Sequence, residues 1–193
     1  MSVAVAPLRV VRPAAVVPRV ARKAAPAKVT LRGAAPADAD AIHALIVEHL
    51  AEGHLLPRRR EEIAVHAGRF VVAVQGRKLV GCAELAPLSR TVVEVRSLVV
   101  SGGARSGGVG RRMIDELRQR ASLSGFEKLC AFTHGPSYFV QMGFSIVPHE
   151  WLPEKIATDC SSCARFRQCG QYAVVDLLAR TRQSFVPLTS LHG

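Results

Sequence analysis

The spacing of apolar residues changes several times along the chain, and each change marks an element. Val29, Thr30, Leu31 and Arg32 read as a short strand. After Pro36-Ala37-Asp38, the residues Ile42, Leu45, Ile46 and His49/Leu50 recur at helical spacing, and Gly53 ends that pattern. A loop over 54–58 leads into a second short helix over 59–67. Residues 70–74 and 79–85 read as strands joined by a hairpin turn at Gln75-Gly76-Arg77-Lys78. A turn over 87–90 opens an apolar, β-branched run over 92–100, broken only by Glu94, Arg96 and Ser97. Val109, Met113, Ile114, Leu117 and Ala121 then form one buried stripe of a helix that Gly125 stops. A strand over 128–133, a short helix over 136–142, a strand over 144–147, a loop holding three cysteines and a strand over 172–178 complete the pattern.

The order is β-α-α-β-β-β-α-β-α-β-β. Three hairpin-linked strands before one crossover helix predict a mixed sheet of about seven strands flanked by about four helices, an α/β (α+β) domain. A doubly wound sheet needs strands and helices to alternate from the start, so it is excluded. Proline-broken Ala, Val, Arg and Lys mixture over 1–27 predicts a disordered basic arm, with a transit peptide as the rival reading. The folded domain is expected over 28–178 and a loose tail over 179–193.

Charge changes the picture little. The formal net charge is +11. Seven basic residues (Arg9, Arg12, Arg19, Arg22, Lys23, Lys28 and Arg32) fall in the first 37, with no acid among them. The rest is only mildly basic, which suits an anionic cofactor or substrate and does not demand nucleic acid. No apolar run reaches the ~18–20 residues of a membrane span. An odd count of five cysteines and no evident signal peptide predict reduced thiols in the cytoplasm.

Residues 94–111, EVRSLVVSGGARSGGVGR, carry the chemistry. Strand, glycine loop and helix start together form an anion site. Backbone N–H groups point into the loop, the helix dipole favours negative charge, and missing β-carbons allow close approach. Arg105, Arg111 and Arg112 add charge beside it.

Arg105-x-x-Gly108-x-Gly110 at the head of a helix resembles the acetyl-CoA signature of the GCN5-related N-acetyltransferases, and Gly143-Phe144 resembles a later element of that superfamily. Gly53-His54-Leu55-Leu56-Pro57-Arg58, Val80-Gly81-Cys82-Ala83, Glu94-Val95-Arg96-Ser97-Leu98, and Leu152-Pro153-Glu154-Lys155 leading to Asp159-Cys160-x2-Cys163-x5-Cys169 are similar to the short, single-domain N-acetylglutamate synthases of bacteria. The chain departs from that pattern at Gly102-Gly103-Ala104, at Ser106, where glycine is common, and at Gly170-Gln171-Tyr172.

The resemblance implies a splayed sheet and transfer of acetyl from acetyl-CoA to the α-amine of L-glutamate, in arginine biosynthesis. The pantetheine arm would lie between the strands at 94–101 and 128–133. The pyrophosphate would sit on Arg105, Ser106, Gly107, Gly108, Val109, Gly110 and Arg111. Glu94 is the candidate general base, since an ammonium must lose a proton before attacking a thioester, and partial burial would raise its pKa toward a useful value. Amides of Leu98, Val99 and Val100, freed by a bulge, would stabilise the oxyanion. Many relatives carry a tyrosine acid where this chain has Phe139, so Tyr138, rotated by about 100°, is the candidate acid. Arg58 and Arg96 suit the two carboxylates of glutamate, with the Leu56 backbone beside them. Arg96 has a structural alternative, an ion pair with Glu94 or Glu84.

Cys160, Cys163 and Cys169 hold one zinc-like spacing, with His149 as a conceivable fourth ligand, but a closed structural site wants four ligands and the chemistry requires no metal. Cys82 and Cys130 read as small core residues, and His134 as a minor polar contact. A homodimer is compatible with all of this. The other readings are an acetyltransferase for a different amine (another amino acid, a polyamine or a protein N-terminus) and an acetyl-CoA-binding module whose basic arm contacts nucleic acid.

Overall fold

The computed structural model describes residues 28–164 and 166–178. The arm expected over 1–27 and the tail expected over 179–193 lie outside the described residues. β1 (Val29–Gly33) leads through a 3₁₀ turn into α1 (Ala39–Glu48) and α2 (Arg60–Val65). β2 (Phe70–Gln75), β3 (Lys78–Pro87) and β4 (Val92–Val100) follow, then α3 (Val109–Leu123), β5 (Lys128–Thr133), α4 (Pro136–Val140) and β6 (Ser145–Val147). α5 (Pro153–Lys155) runs directly into a π-helical turn, Ile156–Cys160, and β7 (Tyr172–Leu177) comes last.

One seven-stranded mixed sheet has the order β1-β2-β3-β4-β5-β7-β6. Every pairing is antiparallel except β4 with β5. β7 inserts between β5 and β6, an order that spacing along the chain does not reveal. The stretch expected as a plain cysteine loop instead carries α5, the π turn and a 3₁₀ turn at Phe166–Gln168. These elements are too short to show a helical period.

Alternation along β2 explains the two layers. Val71 and Ala73 face the side covered by Met113, Ile114 and Leu117 of α3. Phe70 and Val72 face Ile42 and Ile46 of α1 and Ile63 of α2. Gly81 permits the α3 layer to approach, because a Cβ there would lie 3.1 Å from the Met113 sulfur and 3.3 Å from the Ala73 Cβ. A third cluster, with Val92, Cys130, Leu152 and Ala173, covers the β5–β7 end. Cys82 and Cys130 are fully buried, and burial pushes both thiols up to about 12, which fits small core residues.

Candidate active site

The site begins where the sheet comes apart. β4 and β5 pair only from Val92 opposite Lys128 to Glu94 opposite Cys130. Beyond those residues the strands diverge, and a cavity of about 1310 Å³ opens between them. On its other side β4 bulges against β3. Arg96 pairs with Glu84 and Val99 with Cys82, so β4 spends one more residue than β3 over this step. Ser97 takes the left-handed conformation, φ 51°, that the bulge requires. Leu98 and Val100 send their side chains into the α3 layer and Val99 into the α1 layer. All three line the cavity. Their side chains serve packing, and their backbone borders the opening.

The α3 end of the cavity, where the cofactor is expected, is made largely of backbone. Ser106 and Gly108 both have φ 68°. Gly108 is the N-cap of α3, and its carbonyl accepts the first ladder bond from the Arg112 N–H at 3.1 Å. The N–H groups of Val109, Gly110 and Arg111 precede that bond and are left by helix geometry for an outside acceptor. No acid stands in the first turn of α3. The left-handed Ser106 explains why glycine suits this position, since a β-carbon there costs energy. Two expected cations are engaged within the chain, although Arg105 still borders the cavity. Arg105 donates from Nε to the Val100 carbonyl at 2.9 Å and from Nη2 to both Glu52 oxygens at 2.8 Å. Arg112 donates to the Val29 carbonyl. Arg111 lines the cavity; Gly107 is not among its lining residues.

Tyr138 reaches the same end from α4. Its hydroxyl lies so close over Gly110 that a β-carbon at 110 would collide with it. Burial raises the phenol above its usual range. Phe139 instead turns into the core against Phe144, ring centroids 5.2 Å apart. The one-residue shift thus sets the tyrosine hydroxyl over Gly110 and the phenylalanine in the core, at the cavity wall.

The other end of the cavity, where the acceptor is expected, is made of charged side chains. Glu94 is buried, 3 % exposed. It accepts from Arg96 Nε at 2.6 Å and from Lys155 Nζ on both oxygens at 2.8 Å. Lys155 also donates to Asp159 at 2.8 Å and sits 5.1 Å over the Phe132 ring. Arg96 reaches Asp159 with its Nη2. Arg58 donates from Nη1 to Glu84 and from Nη2 to Glu62, both at 2.8 Å. Burial opposes the Arg58 and Arg96 charges, yet their carboxylate partners hold both guanidiniums above the usual range. Arg96 therefore makes the structural pair with Glu94 and faces the cavity too; Glu84 takes Arg58 instead.

Leu56, Arg58, Arg96, Glu94, Tyr138 and the Leu98–Val100 run all border one opening. So do Cys160, Cys163 and Cys169, which are free thiols. Among the described residues no group of His, Cys, Asp and Glu has an arrangement that could hold a metal ion. His149 is engaged by the Gln171 carbonyl at 2.9 Å. His134 packs beside His54 and does not line the opening. Sequence reasoning gave no role to Lys155, Asp159 and Glu62. The i,i+4 spacings of Arg58 with Glu62 and of Lys155 with Asp159 are the signals that could have found them.

The sequence model of the Acetyltransferase (GNAT) family matches residues 39–144. An uncharacterized N-acetyltransferase of Chlorobaculum tepidum is 31 % identical over 152 residues, covering 79 % of this chain and 98 % of that protein. An amino-acid acetyltransferase of Neisseria meningitidis is 32 % identical over 139 residues, covering 71 % of this chain and 32 % of its own length. The structure of N-acetylglutamate synthase from Neisseria gonorrhoeae, complexed with coenzyme A and N-acetyl-glutamate, superposes with a TM-score of 0.71 at 29 % identity, over 80 % of this chain and 36 % of that one. The chain thus spans about a third of the Neisseria proteins and nearly all of the Chlorobaculum one. No helix among the described residues is long and apolar enough to cross a membrane.

Proposed function

The chain belongs to the acetyltransferase (GNAT) family, and from that premise we propose that it moves acetyl from acetyl-CoA to the α-amine of L-glutamate, giving N-acetylglutamate and CoA. One observation carries the acceptor: Arg58, Arg96 and Lys155 converge on the cavity around Glu94, where β4 parts from β5. Guanidinium and ammonium groups there suit an amino acid's carboxylates. The Neisseria relatives, named amino-acid acetyltransferase and N-acetylglutamate synthase, support the same reading.

The cofactor fits the other end. The free N–H groups of 109–111 suit its pyrophosphate, and the strand gap suits its extended pantetheine arm. Acetyl-CoA supplies the activated acyl group; the protein's residues do the rest. Glu94 takes the ammonium proton. Both of its oxygens already accept from cations, so the substrate ammonium displaces one of these donors or reaches Glu94 through a water. Those amides of the Leu98–Val100 run that point away from β3 face the developing oxyanion. Tyr138 is protonated across the physiological range and donates that proton to the leaving sulfur, after which solvent reprotonates the phenol and takes the proton from Glu94. Arg58, Arg96 and the Leu56 backbone orient the acceptor.

A second reading, acetylation of another amino acid, has its own support. The four carboxylates of Glu62, Glu84, Glu94 and Asp159 already outnumber the three cations, so a side-chain carboxylate meets arginines that are neutralised. Purified protein given acetyl-CoA and an amino-acid panel tests both. Thiol release highest with glutamate supports the first reading. Preference for an uncharged amino acid moves the assignment to the second, and no amino-acid preference removes both.

A further inference from the structure

We propose that Cys160 and Cys163 form a reversible disulfide that loosens the acceptor end of the cavity, which makes this dithiol a redox modification site. The proposal rests on the acceptor binding beside Glu94 and Arg96. Both thiols are free and line the cavity; Cys163 is exposed and Cys160 half-buried. The Cys163 N–H donates to the Cys160 carbonyl at 3.0 Å, closing a turn in which Ser161 has φ −59° and ψ −30°. Such a turn holds its end Cα atoms within about 7 Å, and a disulfide spans up to about 6.8 Å. Cys82 and Cys130, sealed in the core, offer no comparable pair.

The chemistry balances with an oxidised low-molecular-weight thiol as oxidant. The exposed Cys163 sulfur attacks one sulfur of that disulfide, releasing the first small thiolate. Cys160 then displaces the second. Two S–H bonds are lost and one S–S bond forms within the chain. Two electrons reduce the small disulfide to two thiols, which take up the two protons. Burial pushes the Cys160 thiol up, in keeping with its role as the second sulfur to react.

The consequence lies in the turn. Cys160 is the last residue of the π turn Ile156–Cys160, Asp159 precedes it, and Lys155 opens the same stretch. Lys155 and Asp159 hold Glu94 and Arg96. Drawing the Cys160 sulfur to Cys163 pulls on that pair of anchors. The cofactor end, built on the 106–111 loop and the first turn of α3, takes none of its groups from the turn and stays as it is.

The test treats the whole protein with glutathione disulfide, then with dithiothreitol. Expected are loss of two hydrogens in the intact mass, a Cys160–Cys163 linked peptide, and a rise in acceptor KM on the order of tenfold, the effect of weakening one charge-assisted contact, with acetyl-CoA KM unchanged and full reversal by dithiothreitol. Cys163→Ser should keep its reduced activity and lose the response. A linkage through Cys169, an oxidised protein with unchanged acceptor KM, or an equal response in Cys163→Ser overturns the proposal. The mass readout does not depend on which amine is acetylated, so failure of the glutamate assignment is distinguishable from failure of the disulfide.

Discussion

The two ends of the cavity are built from different materials. At the cofactor end, left-handed Ser106 and Gly108 and the first turn of α3 present backbone N–H groups. At the acceptor end, Glu94, Arg96, Lys155 and Asp159 form one bonded cluster, and Arg58 is forked between Glu62 and Glu84. A backbone site depends on conformation and tolerates most side-chain changes. A cluster of buried charges depends on every member, because removing one partner leaves another desolvated and unpaired. The acceptor end should therefore be fragile toward conservative substitutions that the cofactor end absorbs.

The largest effect is expected at Glu94. Glu94→Gln should lower kcat by about 100-fold near neutral pH, the lower range of general-base catalysis. The loss should shrink at high pH, where the amine is already neutral. A pH profile of kcat with the same shape as the parent's would remove Glu94 from the mechanism. Arg58→Lys keeps the charge and loses the fork, so acceptor KM should rise on the order of tenfold with acetyl-CoA KM unchanged. Equal changes in both constants would mean that the two ends are not separable.

Gly110→Ala probes the one place where the cofactor end resists a side chain. Its β-carbon displaces the Tyr138 hydroxyl, and acetyl-CoA KM should rise about fivefold, about 1 kcal/mol. An unaltered KM would show that Tyr138 yields freely. Tyr138→Phe should lower kcat only about threefold, since a thiolate leaves tolerably without an acid. Burial raises this phenol, so it stays protonated through neutral pH and loses its proton only above the usual value near 10. Any alkaline fall in kcat due to Tyr138 should lie there and vanish in the variant.

The smallest effect lies outside both ends. Asp38 forms a forked pair with Arg32 and accepts from the Ala35 N–H at 2.8 Å. The Arg32 hydrogen bond, outweighing burial, lowers its pKa to about 2. That contribution is complete above the unfolded value near 4 and fades as pH falls through about 2. Asp38→Asn should lower Tm by roughly 2–4 °C at neutral pH and by less in acid, with kinetic constants unchanged. A kinetic change there would mean that the Arg32–Asp38 pair reaches the cavity and is not confined to stability.

Legibility in the sequence follows the same division. The α3 stripe, the glycine loop and the bulge-bearing strand were readable because local spacing and backbone demand set them. The insertion of β7 between β5 and β6 was not, because strand order comes from packing between distant segments. Glu94 and Arg96 were visible as charges in an apolar strand. Their bonds to Lys155 and Asp159, some sixty residues on, depend on where the π turn lands. Arg105 shows the limit most plainly. Its motif position marks the loop, yet its side chain turns back to Glu52 and Val100.

The short pairing of β4 with β5 has one more consequence. An open sheet ordinarily ends at two outer strands, here β1 and β6. This sheet also has two inner rims, past Glu94 and past Cys130, where peptide groups face a gap instead of a neighbour. A slender, amide-bearing molecule lying in that gap acts as a temporary strand. In the proposed reaction, each turnover would then complete the sheet and open it again. Amide hydrogens at the rims should exchange slowly with the gap filled and quickly with it empty, so solvent exchange along two strands becomes a clock for occupancy.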